Sequence, residues 1–197
     1  MLDDGQIIRR CLDGQMGMMD LLIDRHKTDL YSLCLKLTRS GPDADDLFQD
    51  TWVKVMKSLD SYNPEHRFKT WLFAICMNRY RDLYRWRRRW WRRVRRLGEE
   101  GSPEGEPRPD DELAAMEAGE PNPEEQAISQ EKRGAVREAL DRLDDPFRLP
   151  ILLHYFQDLS VAEIARILKI PTGTVKTRLL RGREKLKGAI EAAGHGR

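Results

Sequence analysis

The chain has 197 residues, 40% of them apolar and 35% charged, with 35 basic residues against 33 acidic ones for a formal net charge of +2. That composition supports one or two ordinary helical cores, and no apolar run approaches the ~18 residues that would suggest a membrane span. The opening MLDDGQIIRRCLDG has no basic stretch leading into an apolar one, so no secretion signal is expected, and Cys11, Cys34 and Cys76 lack the spacing of a disulfide framework or a zinc site.

Apolar residues recur with helical periodicity and no alternating strand pattern stands out, so an all-α fold is predicted. Composition separates three parts: a helical part over 1–97 ending in a basic run, an acidic Pro- and Gly-rich stretch over 98–122 (GEEGSPEGEPRPDDELAAMEAGEPN), and a second helical part over 123–197. The middle stretch buries too little apolar surface to offset its ordering entropy, so a flexible linker is expected there. Cys34 and Cys76 fall on apolar helical faces and read as reduced core thiols of a cytoplasmic protein.

In chain order, the first informative element is a helix expected from Asp43 to Leu59 (DADDLFQDTWVKVMKSL). At about 100° per residue, Ala44, Leu47, Phe48, Thr51, Trp52, Val55 and Leu59 share one side. Asp46, Gln49, Val53 and Lys57 fall opposite, with Asp50 at their edge. An acidic patch with an apolar centre suits docking on a basic partner; a simply solvated face fits the same pattern.

The next helix is expected from Thr70 to Arg96 (TWLFAICMNRYRDLYRWRRRWWRRVRR). Trp71, Leu72, Ile75, Cys76 and Leu83 make one apolar band, and Phe73, Met77, Tyr80 and Tyr84 a second. Both are expected to pack against neighbours, leaving a narrow stripe of Ala74, Asn78, Arg81 and Arg85. Amide and guanidinium groups there can hydrogen-bond bases and phosphates. Trp71 borders the stripe and could stack on a base or fill the core. From Arg85 to Arg96 arginines alternate with Trp86, Trp90 and Trp91. Charge there attracts phosphate and indoles stack on unpaired bases, although a basic helix end, a membrane-surface patch or association with the acidic linker fits as well.

Near the C-terminus, LSVAEIARILKIPTGTVKTRLLRGREKL has the grammar of a helix-turn-helix. Ser160 and Glu163 have capping-box spacing. Val161, Ile164, Ala165 and Leu168 form the inner side of the first helix, and Lys169–Gly173 form a short turn carrying Pro171. Val175, Leu179, Gly182 and Leu186 point inward from the second helix. Lys176, Thr177, Leu180, Arg181 and Glu184 lie on its outer, mostly basic side.

These segments carry a family resemblance. PTGTVKTRLLRGREKL resembles the recognition helix in the fourth conserved region of bacterial RNA polymerase sigma factors, DADDLFQDTW their polymerase-binding helix, and FKTWLFAICMN their promoter-melting segment. All three occur in family order, over roughly residues 15–96 and 125–190, and the lack of further domains points to the extracytoplasmic-function group of the sigma-70 family. The resemblance implies two helical domains, a region 2 domain over 1–97 and a region 4 domain over 123–197. It implies a non-enzymatic initiation subunit without cofactor or metal, whose partners are the beta and beta-prime subunits of core polymerase, promoter DNA and an anti-sigma factor. By position, Asp46, Gln49 and Asp50 match residues that dock on the polymerase clamp. Trp71 and Asn78, with Arg81 and Arg85 on the same stripe, match the segment that meets the minus-ten element. Lys176, Thr177, Leu180 and Arg181 match positions that read the minus-thirty-five element. The chain departs from the family at Pro150, expected to kink its helix near the start. It departs again at Gly182, where alanine is common, and in its dense Arg/Trp run. A stand-alone helix-turn-helix regulator is the alternative that the C-terminal motif alone would fit.

Overall fold

The computed structural model describes residues 2–96 and 134–194, with side chains given up to Arg85 in the first stretch and to Ala192 in the second. No strand occurs among the described residues. Residues 2–96 belong to one unit and residues 134–194 to another. The expected linker over 98–122 lies outside the described residues.

The first unit is built from helices α1 (Asp4–Leu12), α2 (Met19–Thr38), α3 (Gly41–Lys57) and α4 (Phe68–Arg96). Helix α1 opens on a capping box: the Asp3 carboxylate accepts the Gln6 N–H at 2.7 Å, and the Gln6 side chain accepts the Asp3 N–H at 3.0 Å. Its apolar side buries Ile7, Ile8 and Cys11. Asp4 ties it to α2 by accepting from Arg25 and pairing with His26 Nε2 at 2.9 Å. Helix α2 ends on Arg39 in the left-handed region (φ 58°), and Ser40 then caps α3, with Pro42 in its first turn where no amide hydrogen is needed. Helix α3 is thus shifted from the expected span. It starts at Gly41 and stops at Lys57, and Leu59 lies in a following 3₁₀ turn, Leu59–Ser61.

Helices α2, α3 and α4 pack on one another around Leu22, Leu30, Leu33, Ala44, Val55, Leu72, Phe73, Cys76 and Met77, all fully buried. Burying each large apolar side chain contributes roughly 1.5–3 kcal/mol. The three cysteines are buried free thiols; for Cys34 and Cys76 this is the expected core placement. Cys34 on α2 and Cys76 on α4 place their Sγ atoms 3.8 Å apart, and the hydrogen bond with Cys76 together with burial pushes the Cys34 thiol up.

The expectation of two apolar bands packed on opposite flanks of α4 is corrected. Phe68, Thr70, Leu72, Phe73, Cys76, Met77 and Tyr80 form one continuous buried arc. Trp71 and Ile75 are only half-buried, Tyr84 is exposed, and the helix is covered by α2 and α3 on one side rather than wedged between neighbours.

The second unit contains α5 (134–141), α6 (Asp145–Ile151), α7 (Val161–Leu168) and α8 (Thr172–Gly194). Pro150 sits inside α6 and offers no N–H to the preceding turn, and the backbone continues as a π turn over Leu152–Phe156. The disruption therefore falls toward the end of α6 rather than near its start. Gly182 is the close-approach point of α8 on α6: a Cβ built there would lie 2.7 Å from Ile151 Cδ1 and 3.4 Å from Phe147 Cβ. The Ser160–Glu163 capping box forms, with the Ser160 N–H donated to Glu163 at 2.9 Å. Lys169 closes α7 in the left-handed region (φ 56°), so the turn is Lys169–Pro171 and α8 has already begun at Thr172. Ile167 is buried on the inner side of α7, while Val161 and Ala165, expected there, are half-exposed.

Candidate partner and nucleic-acid interfaces

The outer face of α3 is the face that periodicity predicts. Asp46, Gln49, Asp50, Val53 and Lys57 are exposed, while Ala44, Leu47, Thr51, Trp52 and Val55 turn into the core. Met56, one helical step beyond Val53, is 44% exposed and enlarges the apolar centre of the patch. Its i, i+3 relation to Val53 was available in the sequence. The result is a surface with acids at the N-terminal end, two apolar side chains in the middle and Lys57 at the end. Nothing in the core depends on the acids, so their role is open to an outside cation. One internal contact reaches the patch: Arg79 Nη2 on α4 donates to Asp50 Oδ2 at 3.2 Å.

On α4 the residues Trp71, Ala74, Ile75, Asn78, Arg81 and Arg85 lie on the side away from the buried arc. Trp71, Asn78 and Arg81 are half-buried and Arg85 is exposed. Trp71 packs edge-on against Tyr62 (ring centroids 5.4 Å apart) and tilts against Phe68 (5.7 Å), leaving part of its indole uncovered. Tyr62 belongs to the segment before α4, and its hydroxyl donates to the His66 carbonyl at 2.6 Å. Burial, with the nearby Asp4 and Asp3 carboxylates, pushes this phenol up, so it stays neutral at ordinary pH. Tyr62 is the neighbour of Trp71 that periodicity could not supply, because it precedes the helix and reaches it only through the fold. The arrangement offers an aromatic edge, an amide and two guanidinium groups along one face, a combination that can stack on and hydrogen-bond an unpaired base. Trp86, Trp90 and Trp91 lie outside the described side chains, although the helix itself continues to Arg96.

In the second unit, Val175, Leu179 and Gly182 are buried and Lys176, Thr177, Leu180, Arg181 and Glu184 are exposed, as the helix-turn-helix pattern predicts. Leu180 is 52% exposed, flanked by Lys176, Thr177 and Arg181. The Thr177 hydroxyl donates back to the Gly173 carbonyl at 3.0 Å, and its oxygen can still accept a hydrogen bond. Such a face can offer donors to guanine or phosphate and apolar contact to a thymine methyl. Among the described residues no group of His, Cys, Asp and Glu side chains could hold a metal ion.

Comparison with known proteins agrees with this geometry. Residues 22–99 match the family model described as Sigma-70 region 2, and residues 133–186 match that described as Sigma-70, region 4; together they cover more than half the chain. The chain is similar to the ECF RNA polymerase sigma factor SigW of Bacillus subtilis (strain 168), with 29% identity covering 91% of this chain and 92% of the relative. It is also similar to the ECF RNA polymerase sigma factor SigE of Mycolicibacterium smegmatis, with 34% identity covering 87% of this chain and 61% of that protein. Its fold resembles that of the sigma factor RpoE of Bartonella quintana, solved in complex with the anti-sigma factor NepR, at a TM-score of 0.62 and 23% identity over 88% of this chain and 96% of the other. With two sigma-70 regions in order, each on its own helical unit, the chain belongs to the sigma-70 family of RNA polymerase sigma factors, in the extracytoplasmic-function group.

Proposed function

We propose that this chain binds core RNA polymerase through its first unit, directs it to two-part promoters through both units, and promotes opening of the duplex. The observation that carries the reading is the pairing, in one chain, of the exposed acidic and apolar face of α3 with the exposed basic face of α8. A stand-alone regulator needs only the second of these. In this reading Asp46, Gln49 and Asp50 meet a basic coiled coil in the clamp of the polymerase, whose beta and beta-prime subunits are the partners of the chain. Trp71 and Asn78 capture an unstacked non-template base at the minus-ten element, while Arg81 and Arg85 hold the adjoining phosphates. Capture offsets an unstacking cost of a few kcal/mol. Lys176, Thr177, Leu180 and Arg181 enter the major groove of the minus-thirty-five element. The region 2 domain spans 1–97 and the region 4 domain 123–197, with the acidic stretch 98–122 as the connection between them.

The chain performs no catalysis, and nucleotide chemistry belongs to the polymerase. No described helix is long and apolar enough to cross a membrane, and the working compartment is the cytoplasm, where the polymerase is. The family neighbour held by NepR supports an anti-sigma factor as an inhibitory partner. Run-off transcription with purified core polymerase and a panel of promoter fragments tests the proposal. The expected result is initiation that depends on this chain and on particular promoters. Promoter binding by the chain alone, with no transcription in the presence of core polymerase, would favour the stand-alone regulator.

A further inference from the structure

Asp50 differs from Asp46 in one respect. Asp46 stands at the open end of the α3 patch, whereas Asp50 is reached by a guanidinium from α4. The contact is a single bond, Arg79 Nη2 to Asp50 Oδ2 at 3.2 Å, rather than the two-point fork that makes arginine–carboxylate pairs strong. Both side chains remain open to water, 40% exposed for Arg79 and 62% for Asp50. The Arg79 Nε–H is buried with no hydrogen-bond partner. A pair selected to hold α3 on α4 would satisfy that donor and use both carboxylate oxygens; this one does neither. An exposed single-bond pair contributes little to stability and exchanges readily.

We infer that Arg79 is an exchangeable counter-ion: it occupies Asp50 in the free chain and is displaced when a cation of the polymerase docks there. The inference rests on the proposed docking role of the α3 face. Arg79 then tempers affinity, because docking must replace an existing ion pair and bring a cation close to a like charge.

The test measures binding of the full chain to purified core polymerase at several salt concentrations. Arg79→Gln is expected to tighten binding about two- to fivefold near 0.1 M salt, the size of one screened unit charge at several ångströms, with the gain shrinking as salt rises. Arg79→Lys keeps the charge and is expected to bind as wild type does. In an Asp50→Asn background the gain from Arg79→Gln should shrink, because no ion pair is left to replace. Arg79→Met, which keeps the packed stem, serves as a second variant, and urea unfolding followed by tryptophan fluorescence reports whether each variant is folded. Equal or weaker binding by folded Arg79→Gln and Arg79→Met overturns the inference, as does a gain that persists undiminished with Asp50→Asn. Unchanged affinity on Asp50→Asn alone would remove the docking role of Asp50 and the inference with it. Weakening by Asp50→Asn without tightening by Arg79→Gln leaves the docking role standing and refutes only the counter-ion.

Discussion

Gly182 provides a quantitative test of how the recognition helix is seated. Replacing a mid-helix glycine with alanine ordinarily stabilises a helix by about 1 kcal/mol. Here the added Cβ would stand 2.7 Å from Ile151 Cδ1 and 3.4 Å from both Ile151 Cγ1 and Phe147 Cβ. Ile151 is only 2% exposed, so its terminal methyl has to move within a filled core. Overpacking of this kind costs roughly 1–3 kcal/mol, which outweighs the propensity gain or cancels it. Gly182→Ala is therefore expected to destabilise the second unit by about 0–2 kcal/mol instead of stabilising it. Ile151→Val removes the colliding methyl. Alone it should cost roughly 0.5–1.5 kcal/mol, whereas combined with Gly182→Ala it should cost nothing or restore stability. The coupling should then exceed the ~0.5 kcal/mol within which independent sites add. All five tryptophans (Trp52, Trp71, Trp86, Trp90 and Trp91) precede residue 97, so tryptophan fluorescence follows the first unit. Amide hydrogen exchange of peptides from α6 and α8 follows the second. The expected result is faster exchange in α6 and α8 for Gly182→Ala, rescue by Ile151→Val, and an unchanged fluorescence transition. Additive effects, or plain stabilisation by Gly182→Ala, would refute the claim that helix spacing here depends on the missing side chain.

Three functional predictions follow the proposed surfaces. Asp46→Arg combined with Asp50→Arg should reverse attraction to a basic partner and lower affinity for core polymerase at least tenfold at low salt, about 1.4 kcal/mol. Thermal stability should stay close to wild type, because both side chains are exposed. Asn78→Ala should leave polymerase and upstream-element binding intact but reduce promoter opening, read as permanganate reactivity of unpaired thymines, with partial recovery on a template carrying a pre-melted bubble. Arg181→Ala should weaken upstream-element binding by about 1–3 kcal/mol if it reads a base, or lower the salt slope by about one if it holds a phosphate. Neither change across a promoter panel would remove Arg181 from the interface.

Much of this architecture is written in local sequence. The inward and outward sides of α3 follow from periodicity alone, because each side chain's direction is set by the helix it sits on. The Ser160–Glu163 capping box and the exposed face of α8 are equally local, and so are the residues that carry the family resemblance. Exact helix limits were less legible. Ser40 and Pro42 start α3 earlier than its apolar pattern does, and the left-handed Lys169 shortens the turn before α8.

Which surfaces meet is settled only when the helices pack. The sequence of α4 carries apolar residues around much of its circumference, and packing against its neighbours determines that Leu72, Cys76 and Tyr80 are covered while Trp71 and Ile75 remain half-open. The approach of Cys34 to Cys76, the reach of Arg79 to Asp50 and the edge of Tyr62 against Trp71 join different segments. So does the closeness of Gly182 to Ile151. Periodicity specifies where a side chain points around its own axis, but not which neighbouring element lies in that direction. That choice is made when the ridges of one helix settle into the grooves of the next, and it depends on the shapes of both.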